Sequence, residues 1–151
     1  MKRKSILLLL GMCLALFPVF TSGQNKYMTT KFQAVDSIPA GKALIYIYRP
    51  GAFSGSAIHY TVKVNDTALS RVHLYNGGYF VYFADPGQNI FTASVADEPA
   101  MALVNAEAGE TYFVKGSIRT GTWVGRPFLE TVSKETGLKE IVKCKLLQDK
   151  E

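Results

Sequence analysis

The sequence predicts an all-β domain of two packed antiparallel sheets, and three observations carry that expectation. Turn signals recur roughly every ten to twelve residues: Asn65-Asp66, Asn76-Gly77-Gly78, Asp85-Pro86-Gly87, Asp97-Glu98-Pro99, Ala108-Gly109-Glu110 and Thr120-Gly121-Thr122. The stretches between them are rich in Tyr, Phe, Val and Ile, whose flat or branched side chains suit a pleated, half-buried surface. Several of those stretches alternate apolar and polar residues with a period of two, the period of a strand with one face in the core.

The chain opens on Met1-Lys2-Arg3-Lys4, followed by an apolar run from Ile6 to Phe20 and the small residues Thr21-Ser22-Gly23. This order of charge, apolar core and small residues predicts a secretory signal peptide over residues 1–23, cut after Gly23, with Ser22 as the alternative. The apolar run covers 15 residues. A bilayer span needs about 20, so no permanent transmembrane anchor is expected from it. Cys13 follows the bulky Met12 and stands seven residues before the end of the run, which argues against a lipid anchor there.

Removing residues 1–23 takes away three of the 17 basic residues and none of the 12 acidic ones, leaving 14 against 12. The overall charge of +5 is therefore largely the targeting segment. No Lys/Arg cluster is interleaved with aromatics, so a nucleic-acid partner is not expected.

What remains after the cut has the size of one domain. Residues 24–41 are polar and read as an N-terminal arm that sets off the domain or packs beside it; the single domain is expected over residues 42–147, with a short tail over 148–151. Ala43 to Tyr48 is apolar on both faces, as for a strand covered on both sides. Ile58 to Val64 alternates Ile58, Tyr60, Val62 and Val64 with His59, Thr61 and Lys63. Tyr79 to Ala84 is again apolar throughout, Phe91, Ala93 and Val95 share a face, and Tyr112, Val114 and Ile118 lie opposite Phe113, Lys115, Ser117 and Arg119. Shorter strands are expected at Ala100 to Ala106 and Phe128 to Val132. About seven such strands close best as an Ig-like or prealbumin-like sandwich. Residues 134–147 are ambiguous: Leu138, Ile141, Val142 and Leu146 have helical spacing after a potential N-cap at Ser133, yet Val142, Cys144 and Leu146 also alternate with lysines. A short helix is favoured, with Gly137 working against it.

Tyr46-Ile47-Tyr48-Arg49-Pro50, Phe53, Gly55-Ser56-Ala57, Val62-Lys63-Val64-Asn65, Asn76-Gly77-Gly78-Tyr79-Phe80, Pro86-Gly87, the run Ala108 to Val114 and Glu135-Thr136-Gly137-Leu138 form a further pattern. As a set they resemble the domain-of-unknown-function family numbered 2846, whose members share a Tyr-x-Tyr-Arg-Pro opening. The resemblance covers most of residues 42–147. It implies an exported Gram-negative bacterial domain, in many members a lipoprotein, and no established activity. The segment around Cys13 departs from the lipoprotein members.

No residue set in the chain has the spacing of a catalytic, metal or nucleotide site, and no cofactor is expected. Cys144 is the only cysteine after the signal segment and is expected to be buried and inert. His59 and His73 lack acidic or thiol neighbours at zinc spacing and read as surface residues. Gly51 to Ser56 lacks the Lys-Ser/Thr ending of a phosphate loop. It does carry Phe53 beside Arg49, and a second loop carries Trp123, the single tryptophan, beside Arg126. Aromatic and arginine side chains on loops are typical interface anchors. Arg49, Phe53, Trp123 and Arg126 are thus the candidate binding residues, the alternative being that Phe53 and Trp123 fold back onto the core. The expectation is a secreted or periplasmic non-catalytic binding or structural accessory module of the cell envelope, with an envelope protein, peptide or glycan as partner. The alternatives are a small hydrolase or lyase built from residues such as His59, Asp85 and Glu110, and an envelope subunit that adds an edge strand to a neighbour.

Overall fold

The computed structural model describes residues 26–95, 99–119 and 125–149. The expected signal segment over 1–23, the turn around Asp97-Glu98 and the loop bearing Trp123 fall outside these. The described strands form a sandwich of two sheets. The large sheet runs β1(Met28–Lys31), β10(Lys145–Leu147), β5(Gly78–Ala84), β2(Ala43–Tyr48), β8(Thr111–Arg119), β9(Arg126–Val132). The small one runs β4(Thr67–Ala68), β3(Val62–Val64), β6(Gly87–Ser94), β7(Pro99–Ala106). One helix, α1(Lys134–Ile141), lies on the outer face of the large sheet. Neighbours are antiparallel except β2 with β8 and β10 with β5. The β2–β8 pair is parallel because the chain builds the small sheet between them, a crossover long enough to return in the same direction.

Strand β2 shows why both faces of its sequence are apolar. Ala43, Ile45 and Ile47 enter the core between the sheets, where they meet Val62, Phe91 and Val104. Leu44, Tyr46 and Tyr48 face the other way, into a second apolar cluster with Tyr79, Phe113, Ile141 and Cys144. The arm covers this outer face as well. Phe32, Val35 and Ile38 pack on the cluster, the Phe32 ring lies edge-on to Tyr46 and Tyr79 at 5.4 Å from each, and the Val35 amide donates to the Tyr46 hydroxyl at 2.8 Å. Met28–Lys31 joins the sheet beside β10. Residues of the polar arm thus provide an edge strand and three apolar anchors, so the packed body starts well before Lys42.

The ambiguous C-terminal segment holds both structures in turn. The Ser133 hydroxyl caps α1 by accepting from the Thr136 amide at 3.2 Å. The helix stops near Ile141, and Lys145–Leu147 then pairs in parallel with β5. Cys144 is fully buried, its thiol directed at the Arg49 carbonyl, and burial first and the Glu140 carboxylate second push its pKa up to about 12. A thiol held this far from ionisation is a poor nucleophile.

The stretch Ile58 to Val64 is strand only from Val62 to Val64, with a single bridge at Tyr60–Leu74 upstream. Tyr60, Val62 and Val64 are buried as expected, but the carbonyl of Ile58 is drawn aside by Arg49. Asn65 and Asp66 both have positive φ, the pattern of a two-residue hairpin turn between β3 and β4.

Candidate functional site

The loop after β2 is fixed from within. Arg49 continues the line of β2: its amide donates to Gly78 O at 2.9 Å, and its carbonyl accepts from Gly77 at 3.0 Å. Its side chain turns inward and is only 2 % exposed. The guanidinium donates to the carbonyls of Ile58 and Gly55, the latter at 2.7 Å, and lies 5.7 Å from the Tyr60 ring centroid. Burial works against its charge, but arginine stays protonated in proteins and offers five donors in a rigid fork. It thereby ties both ends of the segment 55–58 to the end of β2. Asn76 clamps the start of the loop: its side chain accepts from the Ala52 amide at 2.9 Å and donates to the Ala52 carbonyl at 3.0 Å. Gly55 has φ +70°, and a Cβ there would sit 2.9 Å from Ile118, so only glycine lets the loop lie against β8.

Held at the tip of this braced loop, Phe53 is fully exposed (101 %). Burying a phenylalanine is worth about 2–3 kcal/mol. The domain forgoes this, and a partner that covers the ring can gain it. The β8–β9 end lies next to the loop. A Cβ on Gly125 would come within 2.5 Å of Ile118 and 2.7 Å of Ile58, so the residue before Arg126 touches both elements. Arg126 is exposed and opposite Arg119, whose guanidinium stacks over the Phe128 ring at 3.3 Å.

Of the four candidate residues, then, Phe53 and Arg126 are displayed on neighbouring segments at one end of the sandwich, and Trp123 is outside the described residues. Arg49 is a correction: its side chain is buried and bonds two backbone carbonyls, so it braces the loop from inside the protein and is not a surface residue that a partner can reach. The trio His59, Asp85 and Glu110 is not assembled. Asp85 pairs with Lys42 at 2.6 Å, and Glu110 receives the Leu44 amide through its carbonyl, both at the start of β2. His59 lies beyond the other end, about 17–20 Å away for a strand of this length.

Sequence reasoning missed a cluster on α1. Tyr48 donates to Glu140 at 2.6 Å, and Lys115 meets the other carboxylate oxygen at 2.8 Å. Burial and the neighbouring carboxylate push the Tyr48 phenol up, so it remains a donor. Partial burial disfavours the Glu140 charge, but the bonds from Lys115 and Tyr48 outweigh it and hold the carboxyl below the usual range. The helical spacing that singled out Leu138 and Ile141 also places Glu140, but nothing local marks its partners one sheet away. A cleft of about 480 Å³ opens between this face of α1 and the loop, lined by Pro50, Gly51, Glu135, Lys139, Glu140 and Lys143. The cleft carries both signs of charge, and Gly51, two residues before Phe53 on the same loop, lines it.

A depressed carboxyl stabilises the fold above the ordinary glutamate pKa of about 4.3 and stops doing so as pH falls through its folded value. Glu140→Gln should therefore melt below wild type at neutral pH, with the two curves converging in acid. A difference independent of pH down to 3 would show that the carboxylate charge is not what matters.

The fold and this site define a class: a two-sheet β-sandwich that presents a braced aromatic loop. Residues 39–126, more than half of the chain, match the family described as "Protein of unknown function (DUF2846)", and the chain belongs to it. No curated protein and no solved structure matches. No helix among the described residues is long and apolar enough to cross a membrane.

Proposed function

We propose that the chain is an exported, non-catalytic recognition module of the bacterial cell envelope, which takes a protein or peptide partner on Phe53 and the charged cleft beside it. The observation that carries this reading is a completely exposed phenylalanine on a loop whose backbone is already fixed by Arg49 and Asn76. Pre-fixed loops lose little backbone entropy on binding, so less of the ring's burial energy is consumed in ordering the loop. Charges of both signs in the cleft favour a peptide surface over a neutral glycan. The leader-like order of residues 1–23 supports the compartment.

Capture from envelope extract of the producing cell tests the reading. Phe53→Ala should leave the melting temperature within about 2 °C, since the ring packs on nothing, and should remove the partner that wild type retains. Retention of the same partner by Phe53→Ala would count against the loop.

A second reading is favoured by one edge of β5. Strand β10 pairs with Gly78 and Tyr79 only. Because Arg49 bonds Gly78 and ladder bonds alternate, Val81 and Phe83 direct their amides and carbonyls away from β2, where no described strand meets them. A cleft of about 720 Å³ lined by Leu69, Phe80, Val81 and Leu146 flanks this edge, so a partner strand could add there. In that case Phe53→Ala leaves capture intact, and Phe83→Lys removes it.

A further inference from the structure

The bridge between Tyr60 and Leu74 turns both of these side chains into the core. Strand alternation then sends His59 and Thr61, and opposite them Tyr75 and His73, to the other face. His59 stacks on Tyr75 with 4.7 Å between centroids, and His73 stands diagonally across, 5.0 Å from His59 with the ring planes at 89°. In each imidazole the Nδ1 atom is close to an oxygen: His59 Nδ1 is 3.4 Å from Ala57 O, and His73 Nδ1 is 3.4 Å from Thr61 Oγ1. A carbonyl only accepts, so in the tautomer that makes this contact Nδ1 of His59 donates and Nε2 keeps its lone pair. The Thr61 hydroxyl can accept from or donate to His73 Nδ1, and the tautomer in which Nδ1 donates leaves Nε2 in the same state. Neither Nε2 meets a protein partner among the described residues.

That is how proteins set imidazoles for metal ligation, with one ring nitrogen oriented by an oxygen and the other free. A cation about 2.0–2.1 Å from each of two Nε2 atoms, at a tetrahedral angle, puts the ring centroids about 5 Å apart. The observed 5.0 Å separation leaves room for such a bridging ion. We infer that His59 and His73 form a two-imidazole site for a divalent transition cation. Its remaining positions go to water, since no group of three or more His, Cys, Asp or Glu residues gathers among the described residues. Imidazole ligands suit copper, nickel and zinc, and the general affinity order puts Cu(II) first. The side chain of Lys26, which lies over Tyr27 at the far end of the same aromatic stack, is 4.8 Å from that ring and brings no ligand. The two histidines are far apart in sequence, so a reading based on ligand spacing passes over them.

The test is titration of the mature protein with Cu(II), Ni(II) and Zn(II) separately, by calorimetry and, for copper, by electron paramagnetic resonance. The expected result is one ion per chain, tightest for Cu(II), with nitrogen hyperfine coupling from two imidazoles. His59→Gln and His73→Gln should each weaken binding at least tenfold while leaving the melting temperature of the metal-free protein within a few degrees. The inference is overturned by absence of 1:1 binding below millimolar Cu(II), by binding that survives either substitution, or by hyperfine coupling from a single imidazole. The result is independent of the Phe53 loop, because Phe53→Ala should bind the ion as wild type does.

Discussion

Arg49→Met is expected to lower the stability of the domain by about 3 kcal/mol, which at this chain length is roughly a 10 °C drop in melting temperature. Methionine fills much of the same buried volume, so the loss reports hydrogen bonding and charge and not a cavity. The guanidinium holds the carbonyls of both Gly55 and Ile58, and each charge-assisted bond of this kind contributes about 1.5–3 kcal/mol. Without it those carbonyls must find water, and the only path is for the loop to move off Ile118 and the end of β2. Hydrogen exchange should follow: the amide of Ile58, which bonds the Gly55 carbonyl at 3.0 Å, should lose protection before the rest of the sheet. Arg49→Lys should recover little, because an ammonium on a flexible stem does not span two carbonyls as the planar fork does. A variant Arg49→Met that melts within about 2 °C of wild type would mean that the loop is braced by Asn76 and Gly55 alone.

Gly137→Ala is expected to destabilise the protein although it improves helix propensity by about 1 kcal/mol. The sign is decided by space. A Cβ at this position would lie 2.2 Å from Cγ of Phe113, where carbon atoms need well over 3 Å. The Phe113 ring cannot retreat: it stacks on Tyr46 at 5.2 Å and meets Tyr48 edge-on at 6.3 Å. The helix must therefore rise from the sheet, which also pulls Glu140 away from Tyr48 and Lys115. Overpacking typically costs 1–3 kcal/mol and here meets an unyielding aromatic. A net loss of about 2 kcal/mol is expected for alanine and more for valine, read from denaturant midpoints. Stabilisation by Gly137→Ala would show that α1 floats on the sheet and does not dock through this residue.

These two residues also show what a sequence can and cannot disclose. Ala-Leu-Ile-Tyr-Ile-Tyr announces a strand covered on both sides, and the structure supplies a core under one face and α1 with the arm over the other. Alternation in Phe91 and Ala93, and in Val114 and Ile118, marks the inner faces of β6 and β8 because period two is a local property. Gly137 looks like a helix breaker until Phe113 is placed beneath it, and that contact spans the sheet. An arginine just after a strand reads as surface for the same reason. Its burial depends on Gly55 and Ile58 curling back over it, which no window of residues reveals. The arm is a third instance: Met28-Thr29-Thr30-Lys31 is polar enough to read as a tether, and it becomes a strand only because the short β10 leaves an edge for it. Of the proposed binding surface, the sequence marks Phe53 as a loop residue and Arg126 as the end of another loop, whereas Arg126 opens β9 and the adjacency of the two segments comes from two glycines whose close contacts converge on Ile118.

The most direct test of the account is to replace Phe53 with a photo-reactive phenylalanine analogue in the producing cell, with the same analogue at Phe83 for comparison, and to irradiate before lysis. Phe53 sits on the braced loop, and Phe83 is exposed on the edge of β5, so the two positions sample the two readings separately. The account predicts one discrete cross-linked protein from position 53 and none from position 83. A cross-link from position 83 alone, or none from either, would contradict it.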